Sequence, residues 1–487
     1  MNTLVIFGAS GDLTSRKLIP ALYNLFLKKR LPEPARIVGF SRTPMTDEVW
    51  RNKLAETTRS FAKNVFTQES WDAFAPRIHY HPGDLDSAES FASLKNFLDD
   101  GESQPSNRQS NCLYYLSTAP QFYGPATERL AAAGLASESP GSARRVVIEK
   151  PFGVDLDSAL KLNGIVQRNF DESQIYRIDH YLGKETVNNV LVLRFANAIF
   201  EPIWNRNYIE SIQITANEEV LVGRRAPFYE TAGILRDMFQ NHLLQILTFV
   251  TMEPPARFDA KAIRDEKVKV LQSIRPMDED EAIKNSIRGQ YRSYRDEPGV
   301  AKDSQTATYG AVRLSIDNWR WKDVPIFLRS GKGMSCRTTQ ILIQFRQPPH
   351  SLFVNKGSAF PLQGNKLLIQ IQPAEGIQLH FMTKVPDTDL KLRQTELNFN
   401  FKDSFQGEMP DSYERLLLDA QSGDASLFAR SDEVEAAWRI IDPIQRAWDS
   451  GRMRDPEFYE TGSFGPSHAQ RWTETFGQSW FDLCPIV

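Results

Sequence analysis

At 487 residues the chain exceeds what one ordinary hydrophobic core organises, so two or three domains are expected. A hydrophobic fraction of 41% and a charged fraction of 24% mark a globular chain, and 58 basic against 61 acidic side chains leave a net charge of −3 with no basic stripe. That balance argues against nucleic acid as a partner.

The chain opens on Leu4–Phe7, an apolar run that stops at Gly8 and reads as a buried strand. It lacks the basic flank of a signal peptide. No apolar stretch approaches the ~20 residues of a membrane span. Cys112, Cys336 and Cys484 lie far apart and in no metal spacing, as expected of a reducing compartment with inert or incidental thiols. A cytoplasmic protein with no membrane partner is expected, and no cluster suggests a metal site.

Gly8-Ala9-Ser10-Gly11-Asp12-Leu13 follows this first strand and precedes a helix around Ile19–Lys29, whose Leu18, Leu22, Leu25 and Phe26 keep helical spacing. Glycines let the chain turn tightly there, and a helix N-terminus offers N–H groups and a positive dipole end to a pyrophosphate. The run departs from G-x-G-x-x-G, since its middle glycine is missing and Leu13 holds the third position. Next come a strand over Arg36–Phe40 and, after it, Ser41-Arg42-Thr43. A hydroxyl and a guanidinium without an acid suit the 2′-phosphate of NADP better than the ribose of NAD. The competing reading of Arg42 is a surface arginine.

A helix from Asp47 to about Ala62, the apolar segment Leu113–Leu116 and the run Arg145–Ile148 continue the alternation. This order predicts βαβ units and a parallel, doubly wound sheet. Asp99–Asn111 and Ala136–Ala143 read as surface loops. Lys150 ends the run from Arg145 in EKPFG (149–153), where open α/β sheets bind ligands, and Pro151 holds it extended and favours a cis bond. A lysine that merely caps a strand is the alternative.

RIDHYLGKE (177–185) packs an acid, an imidazole, a phenol and an ammonium group around one glycine. Lys184 offers a point charge for phosphate, His180 a donor, and Asp179 a carboxylate that could orient a base elsewhere. A polar loop with incidental pairing would look the same. Beyond it, Leu235–Thr251, Tyr413–Ala420 and Asp432–Trp448 read as helices. Gln340–Phe345, Lys366–Ile371, Ile377–Met382 and Thr395–Phe401 alternate with period two, which predicts an antiparallel sheet. His242 lies on the apolar helix from Leu235 and is either a core histidine or a base suited to neutral pH. Glu218, Lys332 and Arg337 are further polar candidates that surface charge would also explain.

Taken in order, GASGDL (8–13), EKPFG, RIDHYLGKE, VLRFANAIFEPIWNRNYI (192–209), RDMFQNHLLQ (236–245), EKVKVL (266–271) and VPIFLRSGK (324–332) resemble the glucose-6-phosphate dehydrogenase family. The resemblance implies a Rossmann domain over residues 1–178 and an α+β domain over 179–487, whose mostly antiparallel sheet is flanked by helices and carries a homodimer or homotetramer contact. It implies oxidation of β-D-glucose 6-phosphate at C1, with hydride passing to NADP, or to NAD as a poorer acceptor. His242 would take the C1-hydroxyl proton and Asp179 would orient it. His180, Tyr181 and Lys184 would hold the phosphate, and Glu218, Asp237 and Lys332 the sugar. Lys17 and Lys150 would lie near the substrate–nicotinamide junction. Gly8 to Ser15, including Thr14, would hold the pyrophosphate, Ser41 and Arg42 the 2′-phosphate side, and Asp84 and Leu85 the adenine side.

Thr14-Ser15 stands where many members have Ala-Lys, and Arg337 where a second sugar-site lysine often follows, so the role of Arg337 is left open. Gly462–Val487 gives no match to the second, structural NADP site of some animal members, which is expected to be absent. Two rivals remain: another NADP-dependent sugar dehydrogenase, and a catalytically silent NADP-binding regulatory protein.

Overall fold

Short apolar runs buried on both faces build the first sheet. A computed structural model describes residues 2–100, 110–350, 364–388, 391–404, 409–453 and 455–484. The strands β1 (Asn2–Phe7), β2 (Ala35–Ser41), β3 (Ile78–Pro82), β4 (Asn111–Leu116), β5 (Arg144–Ile148) and β6 (Ile175–Ile178) are all parallel, in the order β3-β2-β1-β4-β5-β6. Helices on both faces make such strands continuous hydrophobic runs, and Leu4 to Phe7 are almost wholly enclosed. Phe7 stacks on Phe91 at 5.7 Å and meets Phe40 edge-on at 5.1 Å. Each such ring stabilises the fold by about 1.5–3 kcal/mol and pins the helix Ala88–Asp100 to the sheet.

The second sheet takes over with β7 (Ile209–Asn217), β8 (Ser286–Tyr291), β9 (Tyr309–Leu314), β10 (Ile326–Gly331), β11 (Thr338–Phe345), β12 (Lys366–Gln372), β13 (Gly376–Lys384) and β14 (Leu392–Asn400). Two short strands follow. β15 (Phe428–Ala429) returns antiparallel to β6 in the first sheet, and β16 (Glu457–Tyr459) lies parallel to β8 in the second. The second sheet runs β14-β13-β12-β11-β7-β10-β9-β8-β16, antiparallel except at β7–β10 and β8–β16. By packing, one compact unit comprises 1–184, 256–264 and 410–435, and the other 185–255, 265–409 and 436–487.

Most period-two and helical segments fold as their patterns predict. Several elements were not anticipated, among them β3, β6, β7, β8, β9, β10 and the helices Gln68–Phe74, Ala88–Asp100, Tyr123–Ala132 and Leu156–Asn169. β3 hides behind two histidines and a proline, and β6 contains Arg177. That guanidinium is fully buried yet satisfied, because Glu172 receives it on both carboxylate oxygens at 2.6 and 3.2 Å. Two helices also differ in winding. The first is helical over 12–27, with a π-type stretch at Thr14–Leu18. The segment expected as one regular helix from Leu235 to Thr251 is π-wound over Leu235–Leu243 and α-helical only over Leu244–Thr251. Of the surface loop expected at Asp99–Asn111, residues 101–109 lie outside the described residues.

Candidate functional site

The register of the first sheet decides which residues emerge together at its carboxyl edge. Phe7 pairs with Phe40 and with Leu116, and Leu116 pairs with Ile148, which pairs with Arg177. Gly8, Ser41, Ser117, Glu149 and Asp179 therefore leave the sheet along one edge, with the reversal of strand order at β1/β4. Ligands of open α/β sheets bind at such a switch point.

Gly8 has φ +79°, and a Cβ there would lie 2.1 Å from the Ser117 carbonyl oxygen, so only glycine fits the turn. The Gly8 and Ala9 N–H groups both donate to the Phe40 carbonyl, at 2.9 and 3.2 Å, and the Gly11 N–H donates back to Gly8. The turn then runs straight into the first helix. Gly39 admits the Trp50 ring from the neighbouring helix, since a Cβ would meet it at 2.4 Å. Thr14 donates through its hydroxyl to the Gly8 carbonyl, and Ser15 to that of Gly11. Asp12 is exposed and pairs with Arg16, and Leu13 is half-buried. The Ser10 and Ser41 hydroxyls sit 2.9 Å apart, so the turn after β1 touches the end of β2. Arg42 is exposed and makes no ion pair among the described residues. Asp84 and Leu85 follow β3 and are half-buried; Asp84 is braced by N–H groups, accepting from Asp86 and donating its own N–H to Ser90. A tight glycine turn at a helix start, followed by a serine and an arginine with no acid, fits a dinucleotide that carries a 2′-phosphate.

Two lysines named from the sequence flank this edge. Lys17 is half-exposed and paired with Asp411 at 2.8 Å, a partner that no local pattern announces. Lys150 is half-buried, and its bond to Pro151 is cis. The residue before it, Glu149, accepts from the Tyr115 hydroxyl at 2.5 Å and from the Tyr413 hydroxyl at 3.3 Å. Sequence reasoning missed this cluster, whose members are 34 and 264 positions from Glu149.

After β6 the chain makes a polar turn. Asp179 is 2% exposed and accepts the Tyr181 N–H at 2.9 Å, while the Leu182 N–H donates to the Asp179 carbonyl. The His180 and Tyr181 rings lie 5.1 Å apart, and the Lys184 ammonium lies 5.4 Å from the Tyr181 ring centre. His180 and Lys184 are half-buried, whereas Tyr181 is buried. Gly183 lies against Ser412 and Leu416, so a side chain there would displace the helix Ser412–Ser422. The turn thus presents an imidazole, a phenol and an ammonium group from a fixed backbone.

The second unit holds its own charged cluster. Gly331 and Asn217 are paired in the register of β10 and β7, which places Lys332 and Glu218 side by side as both strands end. Lys332 is ion-paired to Glu218 and, at 2.8 Å, to Asp237. Burial alone would weaken its ammonium, but the Asp237 and Glu218 charges outweigh that and hold it above the usual lysine range. Its carbonyl accepts the Tyr459 hydroxyl at 2.7 Å, which fixes the loop. Asp237 belongs to the π-wound segment, as does His242, which is 1% exposed. Closing by i→i+5 bonds turns residues five apart closer to a common face than an α-helix would. Arg337 is exposed and donates to Gln372, with no contact to the lysine cluster among the described residues.

The cysteine expectation is corrected. Cys336 and Cys484, separated by 148 positions, form a disulfide, and Cys112 is a buried thiol outside it. Their spacing gives no hint of this. The chain end lies along the second sheet, with Gln213 donating to the Ser479 carbonyl, Gln340 to the Phe481 carbonyl and Arg329 paired to Asp482 at 2.7 Å. That course delivers Cys484 to the loop just past Lys332.

A doubly wound sheet with a glycine turn after its first strand, followed by a second sheet domain bearing buried charge, defines a dinucleotide-dependent oxidoreductase. The comparisons narrow this class. Residues 5–189 match the family model for the glucose-6-phosphate dehydrogenase NAD binding domain, and residues 191–481 match that for its C-terminal domain. Glucose-6-phosphate 1-dehydrogenase of Chlamydia pneumoniae is 42% identical over 99% of this chain and 96% of its own, and that of Aggregatibacter actinomycetemcomitans is 43% identical over 98% and 96%. A solved glucose-6-phosphate dehydrogenase in complex with its substrate glucose-6-phosphate superposes with a TM-score of 0.91 at 33% identity, covering 99% of this chain and 98% of that one. The Mycobacterium avium enzyme gives 0.85 at 35%, covering 99% and 100%. The chain belongs to the glucose-6-phosphate dehydrogenase family.

Proposed function

We propose that this chain oxidises D-glucose 6-phosphate at C1 to 6-phosphoglucono-δ-lactone, and that the residues named above divide the work as follows. The observation that carries the reading is the carboxyl edge of the first sheet, where the Gly8 turn leaves β1, Lys150 follows β5 and Asp179 follows the adjacent β6. NADP, when bound, supplies the hydride acceptor. The Gly8–Ser15 turn would hold its pyrophosphate, Ser41 and Arg42 its 2′-phosphate, and Asp84 and Leu85 its adenine side.

His242 takes the proton of the C1 hydroxyl as the C1–H bond breaks, and Asp179 orients the imidazole and stabilises its cationic form. A buried imidazole with a carboxylate to steer it meets the demands of general-base catalysis. His180, Tyr181 and Lys184 grip the phosphate, which lies away from the reacting carbon and contributes binding energy that orients the sugar. Glu218, Asp237 and Lys332 bind the sugar hydroxyls, and Lys17 and Lys150 stand near the junction with the nicotinamide. We further propose a cytoplasmic homodimer or homotetramer joined through the antiparallel sheet. The disulfide removes the thiol argument for that compartment, so the placing rests on the family alone.

The test follows NADPH formation with glucose 6-phosphate, free glucose and other hexose phosphates. Efficient reduction is expected with glucose 6-phosphate and losses of orders of magnitude without the phosphate. Reduction with another sugar at higher kcat/KM would transfer the assignment to that sugar. No reduction by any of them, under conditions where NADP binds, would favour a silent binding protein.

A further inference from the structure

Glu149 carries its carboxylate into the first unit directly before Lys150. Tyr115, from β4, and Tyr413, from the helix Ser412–Ser422, both donate to the same oxygen. Tyr115 and Tyr123 are fully buried and Tyr413 is 8% exposed. Tyr123 is a third buried phenol within reach of the Glu149 charge: burial first, and then that charge, push its hydroxyl far up.

Register supplies its most consequential neighbour. Ile148 pairs with Arg177, so Glu149 and Lys150 continue from β5 beside Ile178 and Asp179 from β6. Burial holds the Glu149 carboxyl above its usual range; the two phenols and Lys150 oppose that, and the Asp179 charge adds to it. Asp411 and Asp179 act in turn on Tyr413. Glu149 thus accepts from two phenols, while the charges of Lys150 and Asp179 act on it from the adjoining chain ends. Packing alone does not call for an acid at this half-buried position, since an amide of the same shape would satisfy both phenols without the charge.

We propose that Glu149, held by Tyr115 and Tyr413, is a positioning residue of the reaction: it fixes the backbone that carries Lys150 and sets the electrostatic field at Asp179. The inference rests on Asp179 serving the reaction as described above. An ionised Glu149 disfavours a second negative charge beside it and favours protonation of any base within reach. Removing it makes a neighbouring acid easier to ionise and a base within reach harder to protonate. Removing a phenol hydrogen bond makes Glu149 harder to ionise, which acts in the same direction more weakly.

The experiment measures kcat/KM for glucose 6-phosphate against pH, at saturating NADP, for the full chain and for Glu149→Gln, Tyr413→Phe and Asp179→Asn. For Glu149→Gln the acidic limb is expected to move to lower pH by about half a unit or more. Tyr413→Phe is expected to move it the same way by less. An unmoved limb in both variants, with only a uniform loss of rate or of Tm, would reduce the cluster to packing, and a shift to higher pH would overturn the field argument. If Glu149→Gln does not fold, Tyr413→Phe decides by the same criterion. Asp179→Asn separates the two levels. Collapse of its turnover beside an unmoved limb in the other variants sinks the Glu149 inference alone, whereas wild-type turnover would sink the reading beneath it.

Discussion

Arg42 stands at the end of β2 with Ser41 before it and Thr43 after it, and nothing acidic in that run can receive a ribose hydroxyl. By this absence the sequence favours NADP over NAD. Arg42→Ala should weaken NADP binding by roughly tenfold or more, the value of a charge-assisted hydrogen bond, and leave NAD nearly unchanged. Equal weakening in a fluorescence titration with both cofactors would refute the 2′-phosphate role. The residue types of the polar turn after β6 were equally visible, but only the other motifs in order set them apart from an incidental polar loop. What stayed hidden were the partners: Asp411 for Lys17, and Tyr115 and Tyr413 for Glu149. Such pairs are created by tertiary packing, and a single sequence carries no mark of them.

At the level of elements, apolar runs and flanking glycines were enough for β1, β2, β4 and β5, but not for β7 and β10, which lead into Glu218 and Lys332. They did not serve for β6, whose buried arginine breaks the apolar pattern, or for the π-wound Leu235–Leu243, since spacing reports a helix without reporting its winding. The disulfide belongs to this scale as well. It ties the chain end to the loop after β10 and closes a segment of 148 positions. The chain-entropy model assigns such a closure up to about 5 kcal/mol. Protein purified without reductant and then denatured should titrate one thiol, that of Cys112, and three after reduction. Its Tm should fall on reduction. Three thiols before reduction would show that the bond does not form.

Across the whole molecule, two unrelated sheet architectures share one activity. The first, with its switch point between β1 and β4, is built to hold a dinucleotide. The second presents Lys332 with Glu218 and Asp237 at the ends of strands and on a π-wound helix. Family membership extends over both halves, and the order of motifs along the chain makes that legible in the sequence itself. The discontinuity of the units is not legible there. Residues 256–264 and 410–435 pack with the N-terminal sheet, and only the fold shows that Tyr413 and Asp411 come from so late in the chain.

The central claim is a division of labour, in which one segment grips the phosphate and the proton acceptor His242 comes from another. Replacing His242 by Asn and measuring both turnover and glucose 6-phosphate affinity tests it directly. The account predicts that kcat falls by about 10²–10⁴-fold while the Kd for the sugar phosphate changes little. A parallel loss of affinity and turnover would make His242 a structural histidine, and near-normal turnover would place the base elsewhere.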